Sequence, residues 1–443
     1  MVKSFFTLRK IKITNYGLYY CMLHLSIIFY FFSQLMWSND GRMMYVKIVH
    51  CVTFILLFMC GFGILYIFEK KITITVFQVW LLLYLFYFSV SVIWGKDAAY
   101  ASYPIKNLVR CVVVCFLIAS VIKDEKNGRW FFADIVIATI LANIYIAINI
   151  TMDNIKQVLF STSRLGIYGT GKVNANKLAF IYVFTIFFLI YFKSITKKRC
   201  LFNLLIIAFI ALIILTKSKT AYIMLMYFVG AEYLIYKDCV VGYHKRMLQK
   251  FIAVILIAVF LISVFNIPFL YQMIGIRIES AIEMIFGIDN ADDSTAIRLH
   301  RWSFATDLWI SNIKRLLFGI GIGQYRCWHN LIYGSVGWAE SHFFQMLAEG
   351  GIVGIFIHYS LFFYLVFQYR RIKNSLGPIL LGAVFLMELT ASEYGDLMGL
   401  IYIFAAYLII KMENENLNCV GYENASGKNY VYKKAVLASD GRI

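Results

Sequence analysis

Proline occurs only three times in 443 residues, and 24 acidic residues face 42 lysines and arginines. Charged residues of all kinds make up 15% of the chain, against about a quarter in a soluble domain. With 61% hydrophobic residues, this excludes the two or three soluble domains that the length would otherwise allow. Strands alternating apolar and polar are also missing, which excludes an outer-membrane barrel. No repeat of about 20–50 residues is visible. The first apolar run has basic residues before it but no small-residue cleavage site after it. It reads as a membrane helix, not a removed leader. The nine cysteines are scattered. Cys111 and Cys115 share a helix face without a histidine or carboxylate to complete a metal set, so most read as small buried hydrophobes. Only Cys327 falls in the large polar insertion at about 270–342.

What is present is a series of apolar runs, each long enough to cross about 30 Å of hydrocarbon. They fall at 18–36, 46–68, 72–94, 105–122, 130–150, 178–192, 201–216, 220–236, 251–269, 343–368, 377–391 and 396–410. The expectation is an all-α polytopic membrane protein of about 12 transmembrane helices. Residues 1–410 form the membrane domain, and 411–443 a polar cytoplasmic tail. One large insertion, about 270–342, interrupts the apolar pattern and should contain short helices. The net charge of +18 does not point to nucleic acid, because Lys and Arg sit in short clusters between apolar runs. That distribution signals topology and contact with anionic lipid. Basic residues are commoner on the loops that are inside when both termini are cytoplasmic, which puts the insertion outside.

Ionisable groups within membrane helices are costly and are functional candidates by default. In this topology Arg110 lies about five residues, or about 8 Å, below the outer end of helix four. Glu349 lies at similar depth in helix ten. Glu388, Glu393 and His50 approach outer helix ends, while Asp134 and Glu232 lie toward the cytoplasm. The outer loops add Arg164, Lys172 and Lys177, and Lys217 with Lys219 in a tight turn. Two lysines in so short an outer turn oppose the positive-inside bias and have a purpose if an anion binds there. In RLHRWSFATDLW, Arg298 and Arg301 share a helix face over an apolar stripe containing Trp302 and Trp309. Paired guanidiniums suit a phosphate or pyrophosphate. No Asp-x-Asp pair occurs in the outer loops, and Asp292–Asp293 reads as a turn, so no metal or cofactor is expected.

Four segments then match a family pattern in order: SRLGIYGTGKVNANKLAF, LTKSKTAY, RWSFATDLWISNIKRLLFGIGIGQY and ESHFFQMLAEGGIVG. Together they resemble the O-antigen ligase and Wzy-type polysaccharide polymerase superfamily, with the matching core at about 160–410. The resemblance implies an enzyme of the bacterial cytoplasmic membrane that acts on polyprenyl-pyrophosphate-linked (undecaprenyl-type) glycan at the outer face. It implies pyrophosphate binding by Arg298, Arg301 and Arg164 with Lys217 or Lys219, and a base at Glu340 or His342. Arg110, Glu349 and Trp302 join the substrate-side candidates. Lys219 stands where the family often has arginine. Counting nine residues back from Glu349 reaches Glu340, not a histidine. His342 is two residues out of that register, a rotation of about 200° on a helix. His329–Asn330 is a His-Asn pair that comes too early. A Glu-Ser pair in place of His-Asn favours a polymerase of capsule, O-antigen or exopolysaccharide repeats. A ligase transferring finished glycan, and less so a transporter, remain the alternatives. Flippase and chain-length regulator proteins are the partners this implies, besides membrane lipid.

Overall fold

The computed structural model describes residues 15–36, 44–69, 74–160, 165, 175–196, 199–234, 262–276, 279, 293–369, 376–391 and 397–425. Among them the chain is all helical, without a strand. The helices are α1 (Asn15–Leu35), α2 (Met44–Gly63), α3 (Val76–Val90), α4 (Ala98–Val121), α5 (Glu125–Asn149), α6 (Met152–Phe160), α7 (Ala175–Ile195), α8 (Arg199–Thr216) and α9 (Lys219–Leu234). After the part of the chain that is described only in pieces come α10 (Asp293–Ile310), α11 (Ile313–Phe318), α12 (Gln324–Tyr333), α13 (His342–Tyr369), α14 (Gly377–Thr390) and α15 (Leu397–Ala425).

Local chemistry sets several of these boundaries. Thr75 and Gln78 form a reciprocal capping box that starts α3, satisfying amides that the first helical turn leaves without partners. Asp97 caps α4 and Asp124 caps α5 through side-chain bonds to Ala99 and Asn127. Pro378 opens α14, where its missing N–H is not needed. Aromatic residues fill the bundle core. Phe184 stacks on Tyr402 at 3.6 Å and Phe132 on Phe188 at 5.0 Å. Helix α7 is mostly enclosed, whereas the strongly apolar α8 lies at the edge with most of its surface outward. Phe58, Met59, Phe62, Tyr66 and Phe86 also face out, as a surface in contact with hydrocarbon requires. The described cysteines form no disulfide, and Cys111 and Cys115 are buried among apolar neighbours.

Eight helices among the described residues are long and apolar enough to span a membrane. This supports a multi-pass membrane protein, but it is fewer than the twelve spans expected from hydropathy. Helix α14 has only 14 residues, about 21 Å, and α9 has 16. The run at 251–269 lies mostly outside the described residues, as do Asp292, Glu393 and the side chain of Glu232. Two boundaries shift with consequence. Helix α4 begins at Ala98, not near 105, so Arg110 sits about 18 Å along it. Helix α15 continues past residue 410 to Ala425.

The largest departure is in α13, which is not one straight span. Gly351 has φ 61° and ψ −164° inside it. The sixteen residues from His342 to His358 would extend about 24 Å in a straight helix, yet the two imidazole rings lie 5.3 Å apart. The chain therefore runs through 342–350, reverses at Gly351, and returns through 352–369 beside its own first arm. Almost every residue of the first arm is buried, and α10 and α11 pack against α13.

Candidate active site

The reversal at Gly351 is held by the glycine-rich turn that precedes α12. A helix interrupted in this way releases carbonyls from the i→i−4 ladder, and buried carbonyls need partners. Ile320 N–H donates to the Ala348 carbonyl and Gly321 N–H to that of Glu349, both at 2.9 Å. The Tyr87 hydroxyl donates to the Gly350 carbonyl at 2.5 Å and lies 3.1 Å from that of Phe318. The contact is too close for side chains. A Cβ on Gly319, at φ 73°, would sit 2.3 Å from the Glu349 carbonyl, and one on Gly351 would sit 2.5 Å from the Gly319 nitrogen. Removing the Tyr87 hydroxyl takes the partner from the partly buried Gly350 carbonyl. Tyr87→Phe is expected to lower stability by about 1–3 kcal/mol, read as a fall in the midpoint of thermal unfolding in detergent.

Glu349 belongs to this lock. It is fully buried, and its carboxylate accepts from Gly323 N–H at 2.8 Å and Tyr325 N–H at 3.0 Å. Both are at the start of α12, where a helix favours negative charge. The geometry makes Glu349 a brace for the turn, with both oxygens committed to backbone. Gln324 extends the brace to Asp97 through paired backbone bonds of 2.8 and 3.0 Å.

Over this frame lies α10. Arg301 donates from Nη1 to Glu340 Oε1 at 2.7 Å, and both side chains are partly exposed, at 24% and 35%. Arg298, one turn earlier on the same face, is half-buried and makes no ion pair among the described residues. Trp302 stacks on Phe344 at 5.1 Å, which fixes α10 against the first arm of α13. Phe304 packs edge-on against Tyr325, whose hydroxyl donates to the Arg301 carbonyl at 3.0 Å. Burial pushes the Tyr325 phenol up, so it stays a donor, and burial likewise keeps Cys327 a thiol.

Glu340 and His342 part company. Glu340 has φ 57°, a left-handed conformation that a glutamate holds only where its surroundings impose it. Helix α13 begins at His342, so the helical rotation counted from Glu349 does not extend back to residue 340. Glu340 turns to Arg301 and the open side. His342 N–H bonds the Ala391 carbonyl at 2.6 Å, and its ring lies among buried residues beside His358.

The remaining candidates divide. Leu165 N–H donates to the Leu215 carbonyl at 3.0 Å, which brings Leu165 beside the lysine turn. Lys217 there is buried with φ 50°, and Lys219 opens α9 half-buried. Arg164 and Lys172 lie outside the described residues. Arg110 is turned elsewhere, with Nη1 3.2 Å from His50 Nε2 and Nη2 donating to Asn107. It belongs to a polar patch between α2 and α4. Two features escaped sequence reading. Trp328 receives Lys96 at 4.4 Å and Arg315 at 4.6 Å over its ring. Within the bundle, His358 and Tyr359 both bond Glu388. Glu388 was a candidate by its charge in a membrane helix, and the signal passed over was the histidine, His358, inside the apolar run IFIHYSLFF.

A multi-pass helical membrane protein with a braced polar insertion over a reversed helix is the class this geometry defines. The comparison with protein families is more specific. Residues 204–359 match the family model described as O-antigen ligase, consistent with the O-antigen ligase and Wzy superfamily. No curated protein matches the chain. The matched stretch contains the lysine turn, Arg298, Arg301, Glu340, His342 and the glycine-rich turn with Gly351, though not Tyr87.

Proposed function

We propose that this chain is a membrane glycosyltransferase that polymerises polyprenyl-pyrophosphate-linked oligosaccharide repeats, with the insertion on the outer face of the cytoplasmic membrane. The observation that carries this reading is the Arg301–Glu340 pair beside Arg298 within the family-matched stretch. In the reaction an acceptor hydroxyl oxygen bonds to the donor's anomeric carbon as the bond from that carbon to the pyrophosphate oxygen breaks. The polyprenyl pyrophosphate departs with the bonding electrons, and the hydroxyl proton goes to a base. Arg298 and Arg301 stabilise the departing pyrophosphate, and Lys217, Lys219 and Arg164 extend the cationic wall. Glu340 takes the proton.

The resting ion pair suits this sequence of events. At its exposure it is worth no more than about 1 kcal/mol, whereas hydrogen bonds to a charged phosphate contribute about 1.5–3 kcal/mol each. Arriving pyrophosphate therefore displaces Glu340 from Arg301 and frees the carboxylate beside the reacting carbon. The Glu340–Ser341 pair favours polymerase, while the description of the matching family favours the second reading, a ligase with a different acceptor. A strain lacking this protein separates them on a glycan gel. Single lipid-linked repeats are expected to accumulate. Full-length chains left on the carrier would establish the ligase, and an unchanged glycan profile would overturn both.

A further inference from the structure

The buried group beneath the insertion is chemically unlike its surroundings. His342 on the first arm of α13, His358 on the second and Glu388 on α14 each bring one donor atom, all within 4.8 Å of one another. They face a small, partly open crevice, otherwise lined by residues that include Tyr84, Phe180, Met387, Ala391, Leu400 and Ile403. Glu388 is 5% exposed, and its partners are His358 Nε2 at 2.9 Å and the Tyr359 hydroxyl at 3.0 Å. Among the described residues no lysine or arginine pairs with it. A carboxylate in such a place needs a cation, and besides the His358 imidazole that pairs with it, a metal ion held among the three donors meets that need.

We propose that His342, His358 and Glu388 form a binding site for a zinc-type divalent cation. Two imidazoles and one carboxylate are the donor set of zinc sites that keep a fourth position open, and here the crevice supplies that position. Zinc at about 2.0–2.2 Å from each donor holds the donors about 3.4 Å apart, so closure needs side-chain shifts of about 1 Å. The supports for such a centre are in place. Tyr359 bonds Oε2 of Glu388 and leaves Oε1 toward the histidines, the outer bond that orients a ligating carboxylate. The Trp80 indole N–H contacts the carbonyls of Ile357 and His358 at 2.8 and 3.1 Å and fixes the backbone behind the second ligand. Ser341 Oγ donates to the Glu388 carbonyl, tying the first arm to α14. The spacing of the three ligands matches no sequence motif, because only the reversal at Gly351 brings the two histidines together. The site is independent of the transfer reaction, and its test reads metal, not glycan.

The full-length protein, purified in detergent with a tag free of histidine and stripped by chelator, is titrated with Zn²⁺ and Co²⁺ against a chromophoric competitor. About one equivalent of each is expected, with the visible bands of four-coordinate Co²⁺. Glu388→Gln should weaken binding at least 100-fold, and Tyr359→Phe, which keeps every ligand, about 10- to 100-fold. A stripped wild-type protein that binds no stoichiometric metal and gives no cobalt band overturns the proposal. So does binding that both variants leave unchanged. Should Glu388→Gln fail to fold, the wild-type titration and Tyr359→Phe still decide.

Discussion

Glu340→Gln is expected to stop glycan transfer while leaving donor binding intact or tighter. The amide keeps the shape and cannot take a proton, and general-base catalysis contributes about 10²–10⁴-fold. The same change removes the anion that holds Arg301, so the guanidinium meets incoming pyrophosphate without first giving up a partner. Turnover should fall by that factor while KM for the lipid-linked donor stays level or drops. Arg301→Ala is expected to act oppositely on binding: a cation lost from a departing anion costs about 10²–10³ in rate, and donor affinity falls as well. Arg301→Lys should restore only part of the loss, because an ammonium lacks the parallel donors of a guanidinium. The measurement is initial rate against donor concentration for purified protein in liposomes. A Glu340→Gln enzyme that transfers at the wild-type rate would remove Glu340 from the chemistry.

How much of this could be read from the chain depends on the kind of force at each point. Membrane helices were legible because hydrocarbon selects long apolar runs regardless of their neighbours. The arginine pair on α10 was legible because helical spacing alone puts Arg298 and Arg301 on one face. Contacts that depend on a turn were not. Glu349 looked like a substrate-side charge at a helix end, but its carboxylate accepts from the amides of Gly323 and Tyr325. The His342 register was counted along an uninterrupted helix, yet α13 starts at that residue and Glu340 precedes it in a left-handed conformation. His358 and Glu388 could not be paired from sequence, since their meeting follows from a reversal that two adjacent glycines only hint at. Arg110 was placed near a helix end because hydropathy discounts the polar first turns of α4, which are helical all the same.

That reversal gives the second large expectation. Gly351→Ala should be strongly destabilising, by about 3 kcal/mol or more, from two causes. An L-residue at φ 61° and ψ −164°, a region essentially reserved for glycine, costs about 1–3 kcal/mol. Its Cβ would also lie 2.5 Å from the Gly319 nitrogen and 2.6 Å from the Leu317 carbonyl, and forced overpacking costs about 1–3 kcal/mol. Neither neighbour is a flexible side-chain tip that could swing away, so relief requires the turn to part from α13. The bonds of Ile320 and Gly321 to the reversed helix would go with it. Gly334→Ala provides the control. That glycine lies in the ordinary left-handed region, at φ 65° and ψ 11°, and a Cβ there would meet nothing within 4 Å, so it should lose only the conformational cost of that region, about 1–2 kcal/mol. Thermal unfolding of both variants in detergent, followed by size-exclusion chromatography, compares the braced glycine with the open one. Equal losses would mean that the close approach of Gly319 and Gly351 does not hold the reversal. A much greater loss at Gly351 would mean that the site above α13 and the histidine cluster within it depend on the same few atoms of backbone.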